Sequence, residues 1–193
     1  MKRRIYFSFI IILFFSFGNG EEWAVKKSSE NLVKFISDAP IEDFEGVTND
    51  IDGYIYWEGE NLLHKSQLYF EVNLNTIDTG IGLRNRHMRE NYLETDKFPI
   101  TYFKGTLIKA ERVDETHYKV AARGKMFIHG VEQPKTIVGL IEKTTDHLNI
   151  SSKFEIKLSD YHIKIPSLMF YKIDETMRLI LDFHCSTRTD PNK

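Results

Sequence analysis

The feature that most constrains the fold of this chain is an alternation of apolar and polar residues that recurs along most of its length. In the clearest case Leu148, Phe154 and Ile156 alternate with Lys153 and Glu155. Because successive side chains of a strand point to opposite faces, this pattern predicts a half-buried strand with one apolar face. Strong alternation predicts four strands, at residues 67–74, 118–126, 148–158 and 177–185. Weaker alternation predicts four more, at residues 31–37, 51–57, 100–109 and 135–143.

Short polar connections between these segments are typical of hairpins. Residues 112–116 and 144–147 suit hairpin loops, and residues 129–134 form another turn with Gly130 and Pro134 as its breakers. Consecutive strands joined in this way are antiparallel. Long antiparallel strands with one solvated face close most economically into a barrel, which leaves no bare edges. The sequence therefore predicts an all-β chain forming an antiparallel barrel of about eight strands, with a β-sandwich as the alternative.

Three segments depart from the strand pattern. Residues 79–92 are charged, with Leu83 and His87 at helical spacing, and predict a loop with a short helix. Residues 40–44 are predicted to hold one helical turn, since Pro40 suits a first helical position. Residues 166–172 form an unusually apolar loop. We find no internal repeat or linker after residue 30 and predict no second domain.

The first twenty residues have the layout of a secretory signal peptide. A positive start at Lys2, Arg3 and Arg4 precedes an apolar run over residues 5–17, and small residues follow at 18–20. A membrane anchor is the alternative, but a helix needs about 20 apolar residues to span a bilayer. We therefore predict cleavage near Gly20, leaving a single mature domain over residues 21–193 that is periplasmic or secreted.

Charge and cysteine content narrow the choice of partner. The chain has 26 basic and 28 acidic residues, and the first twenty residues hold three of the basic ones and none of the acidic ones, so the mature net charge is −5. This balance argues against nucleic acid or an anionic membrane surface as the partner. The mature chain has no other apolar run near membrane-spanning length. Cys185 is the single cysteine, so it is either a small buried residue or pairs between molecules.

No pattern in the sequence predicts a catalytic or metal site. The seven histidines lack the spacing of a local metal site, and neither a nucleophile motif nor a phosphate-binding glycine loop occurs. His184 and Cys185 are adjacent on a predicted strand and so point to opposite faces. We predict no catalytic residues, no metal and no enzymatic activity. A hydrolase or isomerase that uses His87 with a nearby acid remains the alternative.

The interior of an eight-stranded barrel is just wide enough to be plugged by side chains or to hold one slender ligand. Ala122 and Gly124 are small residues on a predicted inward face, opposite Phe70, Phe154 and Phe183. This arrangement leaves a slot walled by aromatic rings if the phenylalanines do not fill it. Alternation alone leaves the filled and the hollow barrel both open.

Three blocks of the sequence, in order, resemble the YceI-like, or polyisoprenoid-binding, family. Residues 75–103 contain Ile-Asp-Thr-Gly at 77–80, Arg84 with His87, and Phe98–Pro99 before a strand. Residues 126–134 (MFIHGVEQP) are similar to the family's His-Gly-Val hairpin, and residues 154–165 resemble its strand ending in an aromatic-x-Ile element. Departures are modest, with Asn85 where many members have Asp, Met88 where they have Leu, and His162 in place of a common Gly.

The resemblance implies an extended, lipocalin-like barrel, with a short helix near its mouth, that holds a long-chain lipid such as a polyisoprenoid or an isoprenoid quinone. No other cofactor is expected. The expected ligand-binding residues are the inward apolar and small ones, namely Leu68, Phe70, Val72, Tyr118, Val120, Ala122, Gly124, Phe154, Ile156, Leu179, Leu181 and Phe183. In this interpretation Ala122 and Gly124 give the lipid room, so that Gly124→Phe fills the lumen and spares the fold.

Roles at the mouth of the barrel stay open at this point. Arg84 and His87 lie three residues apart, on one face of a helix, and either meet a lipid head group or brace the fold. His129 is expected to bond local backbone, and residues 168–171 are expected to act as a lid or as a contact with a membrane or partner. A transient membrane contact and a homodimer both remain open. The alternative to a lipid carrier is a plugged barrel that serves as a protein-interaction module.

Overall fold

The protein is described by a computed structural model that covers residues 20–37, 44–165, 167–168, 171–172 and 174–187. Within these ranges ten strands form one antiparallel sheet: β1 (Gly20–Val25), β2 (Leu32–Ser37), β3 (Phe44–Thr48), β4 (Ile51–Glu58), β5 (Gln67–Asn73), β6 (Ile100–Arg112), β7 (His117–Ile128), β8 (Val131–Lys143), β9 (His147–Lys157) and β12 (Thr176–Thr187). The two-residue strands β10 (Ser167–Leu168) and β11 (Tyr171–Lys172) pair with each other. The described part of the chain has one α-helix, α1 (Gly82–His87), which continues into a π-helical turn at Met88–Tyr92, and 3-10 turns at Leu74–Thr76 and Leu158–Tyr161.

The sheet closes into a barrel of eight strands, which confirms the predicted fold class. The order around the barrel is β1-β4-β5-β6-β7-β8-β9-β12, and β12 pairs with β1 to close the ring. All eight strands predicted from alternation are present, and so is the predicted helix within residues 79–92. The predictions missed β1 and β3.

The hairpin of β2 and β3 makes the two ends of the barrel different. The last residues of β12, from Cys185 onward, pair with β1, whereas Met177 to Asp182 of the same strand pair with β2. β3 then continues this wall through hydrogen bonds between Val47 and Asp78, with N···O distances of 2.9 Å in both directions. One end is therefore closed by β1 alone, while the other has β2, β3 and the segment around Asp78 in its wall and is wider. We call the wide end the mouth.

The narrow end is filled with large side chains. Trp23 and Trp57 stack with their ring centroids 6.4 Å apart and are almost completely buried. The Nζ of Lys143 lies 5.4 Å from the Trp57 ring centroid and makes an ion pair of 2.9 Å with Glu21. Leu148 and Cys185 are also fully buried in this cluster. Burial raises the pKa of the Cys185 thiol to about 12, so this cysteine is a small apolar packing residue.

The turn between β7 and β8 is shorter than predicted. It consists of His129 (φ 50°) and Gly130 (φ 79°) only, and positive φ at both positions is the pattern of a type I′ hairpin turn. Pro134 does not belong to the turn, because it lies in β8 opposite Lys125. β8 pairs with β9 only from Gly139 onward, so at Pro134 no hydrogen bond to β9 is lost.

Some predictions concern residues that the structure does not describe. Of the signal peptide predicted for residues 1–20, residues 1–19 lie outside the described residues, and Gly20 is the first residue of β1. The helical turn predicted for residues 40–44 also lies outside them, except that Phe44 begins β3. Of the apolar loop at 166–172, only the short pairing of β10 with β11 is described, so the proposed lid at 168–171 stays a prediction.

Candidate functional site

An apolar cavity of about 670 Å³ occupies the mouth half of the barrel. Its volume falls within the range of about 300–1,000 Å³ that is typical of pockets for small organic molecules. Its wall is almost entirely aliphatic and aromatic. A second concavity, of about 760 Å³, lies outside the barrel between the loops at 27–32 and 47–50 and is lined mainly by polar residues. The barrel is thus filled at one end and hollow at the other.

Six of the twelve residues predicted to bind ligand line this cavity. They come from three strands of the barrel: Phe70 and Val72 from β5, Phe154 and Ile156 from β9, and Leu179 and Leu181 from β12. The register brings two of these strands together, because Leu179 lies opposite Phe154. The inward face predicted from alternation is therefore the cavity wall in this part of the barrel.

The other predicted residues lie outside the cavity lining. Phe183 is 2% exposed and packs edge-on against Phe70, with ring centroids 4.9 Å apart, so it forms the floor beneath the cavity. Leu68 and Ala122 are buried in the filled half, and Tyr118 and Val120 pack partly buried against the same core. They face inward as predicted, but too far along the barrel to reach the empty space.

Gly124 has a different role from the predicted one. It lies opposite Gly105 across β6 and β7, and a Cβ atom there would stand 2.1 Å from the carbonyl oxygen of Lys104 and 2.7 Å from the Cα of Gly105. Main chain, and not lumen, occupies that space. The expectation that Gly124 gives a ligand room, and that Gly124→Phe spares the fold, is therefore wrong.

The twelve predicted ligand-binding residues do not include the part of the wall formed by the β2–β3 hairpin or by residues 74–93. Residues 74–93 cover the mouth, and we call this segment the lid. Val33, Phe35 and Gly46 line the cavity from the hairpin, and Leu74, Ile77 and Tyr92 line it from the segment that closes the mouth. Alternation in β2 places Val33 and Phe35 on one face and could have indicated them. Nothing local indicates that the hairpin replaces β1 at this level of the barrel.

The Ile-Asp-Thr-Gly block fastens α1 over the mouth. Thr79 accepts a hydrogen bond of 2.9 Å from Arg84 Nε at its hydroxyl, and its carbonyl accepts another from Arg84 Nη2. The Asn85 amide donates to Asp78 (2.7 Å) and accepts from the Thr79 backbone N–H (2.8 Å). The bonds from Asn85 and from the Gly80 backbone N–H hold the pKa of Asp78 below its ordinary value. Arg84 thus braces the helix while it also lines the cavity.

His87 lies at the same rim and lines the cavity beside Arg84, as the helical spacing predicted. Its side chain is exposed, and within the described ranges no carboxylate is hydrogen-bonded to its ring. No group of three or more His, Cys, Asp or Glu residues in those ranges could hold a metal ion. The polar groups that face the cavity are thus few and gathered at its mouth.

His129 ties the base of the lid to the barrel. Its Nδ1 lies 3.1 Å from the Tyr161 carbonyl oxygen, and its Nε2 lies 2.9 Å from Glu94. Both partners accept hydrogen bonds, so the ring makes both bonds together when both nitrogens carry a proton. These partners are 32 and 35 residues away in sequence, so the expected bond to local backbone is wrong. Phe98 packs edge-on against the imidazole at 5.1 Å.

Replacing His129 should loosen the lid. His129→Ala removes the contacts to Tyr161 and Glu94 of a side chain that is only 11% exposed, and we expect a loss of about 1–3 kcal/mol of stability. Amide hydrogen exchange over residues 82–93 should become faster in the variant, which checks the local effect. The matched control is His64→Ala, at an exposed loop histidine, and it should change neither quantity. Equal exchange in the wild type and His129→Ala would contradict the bracing role.

Acid should reduce the contribution of Glu94 to the same brace. Hydrogen bonds from Lys97 and His129 lower the pKa of Glu94 below its ordinary value of 4.5. A carboxyl whose pKa is lowered on folding stabilises the protein above the unfolded pKa, and this contribution disappears as the pH falls through the folded pKa. The difference in melting temperature between the wild type and Glu94→Gln should therefore shrink as the pH falls below 4.5.

None of the helices in the described part of the chain has the length and apolar character needed to cross a membrane.

His162, which departs from the Gly expected from the family resemblance, has φ 56° after the 3-10 turn at Leu158–Tyr161. Glycine adopts that conformation without strain. The histidine keeps the same backbone conformation.

Comparison with known proteins agrees with this architecture. The chain resembles BcnA from Burkholderia cenocepacia (TM-score 0.68, 12% identity, 83% of this chain and 98% of that one). It also resembles a polyisoprenoid binding domain from Saccharophagus degradans implicated in plant cell wall breakdown (TM-score 0.64, 14% identity, 88% and 99%). A third similar structure is the YCEI protein of Campylobacter jejuni (TM-score 0.56, 18% identity, 75% and 85%). At sequence identities of 12–18%, this structural similarity establishes the fold only.

No curated protein matches the chain in sequence. The family model of the YceI-like domain matches residues 23–185, a range that contains the whole cavity wall and its lid. The match includes the three blocks that carried the resemblance. The chain belongs to the YceI-like family.

Proposed function

We propose that this protein is a non-enzymatic carrier that sequesters a long-chain lipid, such as a polyisoprenoid or an isoprenoid quinone, in the mouth half of its barrel. The observation that carries this proposal is the 670 Å³ cavity, which is apolar along its depth and polar at its rim. A related structure of the same fold is described as a polyisoprenoid binding domain. An amphiphile would lie with its chain toward the Phe70–Phe183 floor and its polar end near Arg84 and His87.

The energetics favour a long chain over a small apolar molecule. Burial of one methylene group contributes about 0.8 kcal/mol, so a chain of ten carbons would gain about 8 kcal/mol from this term alone. That gain exceeds the cost of ordering a few side chains, at about 0.5–1.5 kcal/mol each. The lining offers few hydrogen-bonding groups, so selection would depend on length and shape.

Export is the second part of the proposal. The layout of residues 1–20 and the family resemblance support a periplasmic or secreted protein. Intact-mass spectrometry of protein recovered from the periplasm or medium should find a chain that begins near residue 21. A full-length mass in that fraction would contradict cleavage.

Organic extraction of the purified protein, followed by mass spectrometry, tests the binding function. We expect a lipid with a long hydrocarbon chain in near-stoichiometric amount. The control is an unrelated exported protein purified in the same way. The lipid in its extract measures contamination from membranes, and this amount is subtracted. The absence of enriched lipid, together with no uptake of an added isoprenoid, would leave the interaction module as the better account.

A further inference from the structure

The rim of the cavity exposes two large apolar side chains next to each other. Ile81 is 53% exposed and Leu83 is 56% exposed, and both also line the opening of the cavity. A single exposed apolar residue needs no explanation. Two at the entrance of an apolar cavity extend that apolar surface out to the solvent. We refer to residues 81–89 as the lip.

Basic side chains share the lip with these apolar residues. Residues 79–92 contain three arginines and one glutamate, whereas the whole chain has a net charge of −2. Arg86 is exposed on α1, and Arg89 lies in the π-helical turn that follows it. The negative charge of the whole chain argues against binding to an anionic surface, but this charge is not evenly distributed. At the lip the local charge is positive.

Exposed apolar side chains next to basic side chains fit one kind of partner, an anionic lipid bilayer. A segment that places apolar side chains into the boundary of a bilayer, with arginines at the level of the head groups, binds anionic lipid surfaces. A protein–protein contact could cover the same apolar residues, but it would not require positive charge around the entrance of a lipid cavity. Charge complementarity therefore favours the bilayer.

Another exposed apolar group on the molecule lies away from the cavity. Val138 (61% exposed) and Leu140 (43%) lie on the outer face of β8, and neither lines the cavity. The closest strand partners of this pair are Ala121 and Lys119 of β7. It is matched to the lip in apolar character and exposure, and it is therefore a suitable control surface.

We propose that the lip docks on an anionic phospholipid bilayer, with Ile81 and Leu83 in the interface and Arg86 at the head groups. The cavity then opens directly onto the membrane, and a lipid passes between bilayer and barrel without exposing its chain to water. The biological purpose of this docking rests on the proposed carrier function. The docking itself is independent of any bound lipid.

Vesicle flotation of the mature protein, residues 21–193, tests the proposal. The probes are phosphatidylcholine vesicles with and without phosphatidylglycerol. We expect the wild type to float with the anionic vesicles and to be released as the salt concentration rises, because screening weakens surface charge interactions. Arg86→Glu should lower the partition coefficient at least fivefold, since one basic side chain near an anionic surface accounts for about that factor. The double variant Ile81→Asp/Leu83→Asp should lower it tenfold or more.

The control variant Val138→Asp/Leu140→Asp should float as the wild type does. Wild-type protein that floats with neither kind of vesicle would overturn the proposal. An equal loss in the control variant and the lip variant would do the same. Size-exclusion chromatography with light scattering checks for a homodimer, and a dimer that the lip variant abolishes, without flotation of the wild type, would assign the lip to a second copy instead.

The result is separable from the carrier function. Lipid in organic extracts of a protein that does not float would refute docking and leave the carrier intact. Flotation of a protein that retains no lipid would refute the carrier and leave docking intact. Unchanged circular dichroism and melting temperature of Arg86→Glu would show that its effect is on binding.

Discussion

Leu179→Trp should reduce lipid retention at least tenfold while the protein stays folded. Leu179 lies halfway along the β12 wall, with Phe35 on one neighbouring strand and Phe154 on the other, and all three line the cavity. The larger indole would extend into space that is now empty. Displacing two methylene groups of a bound chain removes about 1.6 kcal/mol, which corresponds to about a tenfold loss of affinity.

The same substitution should not destabilise the barrel. Adding volume to a well-packed core forces strain, at about 1–3 kcal/mol, but the cavity beside Leu179 can take the additional ring. Filling an apolar cavity commonly adds about 0.5–2 kcal/mol of stability. The melting temperature should therefore stay at the wild-type value or rise.

The neighbouring residue provides the control. Ile180 lies on the opposite face of β12, opposite Lys34 of β2 and Lys153 of β9, and it does not line the cavity. Ile180→Trp should retain lipid as the wild type does. Retention is measured as lipid per mole of protein by extraction and mass spectrometry. If a folded Leu179→Trp variant retained as much lipid as Ile180→Trp, the lipid would not lie in the lumen.

Alternation predicted the fold because it reports which face of each strand is buried. All eight strands found in this way are present, and the apolar faces predicted for β5, β7, β9 and β12 point into the barrel. β1 was not predicted because it has only six residues, Gly20–Val25, and the glutamates Glu21 and Glu22 follow its first residue. β3 was not predicted because it has only five residues, with Gly46 at its centre.

The cavity was harder to predict because alternation gives the face of a residue and not its depth in the barrel. Phe70 and Phe183 both face inward, yet Phe70 lines the cavity, whereas Phe183 packs beneath Phe70 and does not reach the empty space. Their depth depends on the register of each strand against its neighbours. It also depends on the hairpin of β2 and β3, which widens only the mouth half. Neither property is contained in a single segment of sequence.

The motif residues were easier to locate than to interpret. The resemblance directed attention to Arg84, His87 and His129, and the structure places all three at the mouth or at the base of its lid. The hydrogen bonds of Arg84 to Thr79 and of His129 to Glu94 and Tyr161 join segments that are up to 35 residues apart. Spacing within the motif could not indicate these partners.

Gly124 shows the same limitation most clearly and leads to the prediction with the largest effect on stability. Its small size is consistent both with a hollow lumen and with a close approach of two strands, and the sequence cannot distinguish them. In the structure Gly124 and Gly105 face each other, and a Cβ added at either position would collide with main-chain atoms of the other strand. The φ angle of neither residue is in the positive region, so space alone requires glycine there.

Gly124→Ala should therefore destabilise the protein by about 1–3 kcal/mol. For a chain of this length that loss lowers the melting temperature by about 2–4 °C per kcal/mol. Gly124→Val should have a larger effect and prevent the barrel from folding, since the colliding carbonyl of Lys104 belongs to a paired strand and cannot move as a side-chain end can. Thermal unfolding followed by circular dichroism measures both.

Gly82→Ala is the matched control, because a Cβ added there meets no atom within 4 Å beyond the adjacent residues and the backbone of its own helix. Gly82 is the first residue of α1, where alanine lowers the entropy of the unfolded chain and should add about 0.4–1 kcal/mol. The two Gly→Ala variants should thus shift the melting temperature in opposite directions. If Gly124→Ala melted at or above the wild-type temperature, β6 and β7 would not approach so closely at this point, and Gly124 would again be available to give room to a ligand.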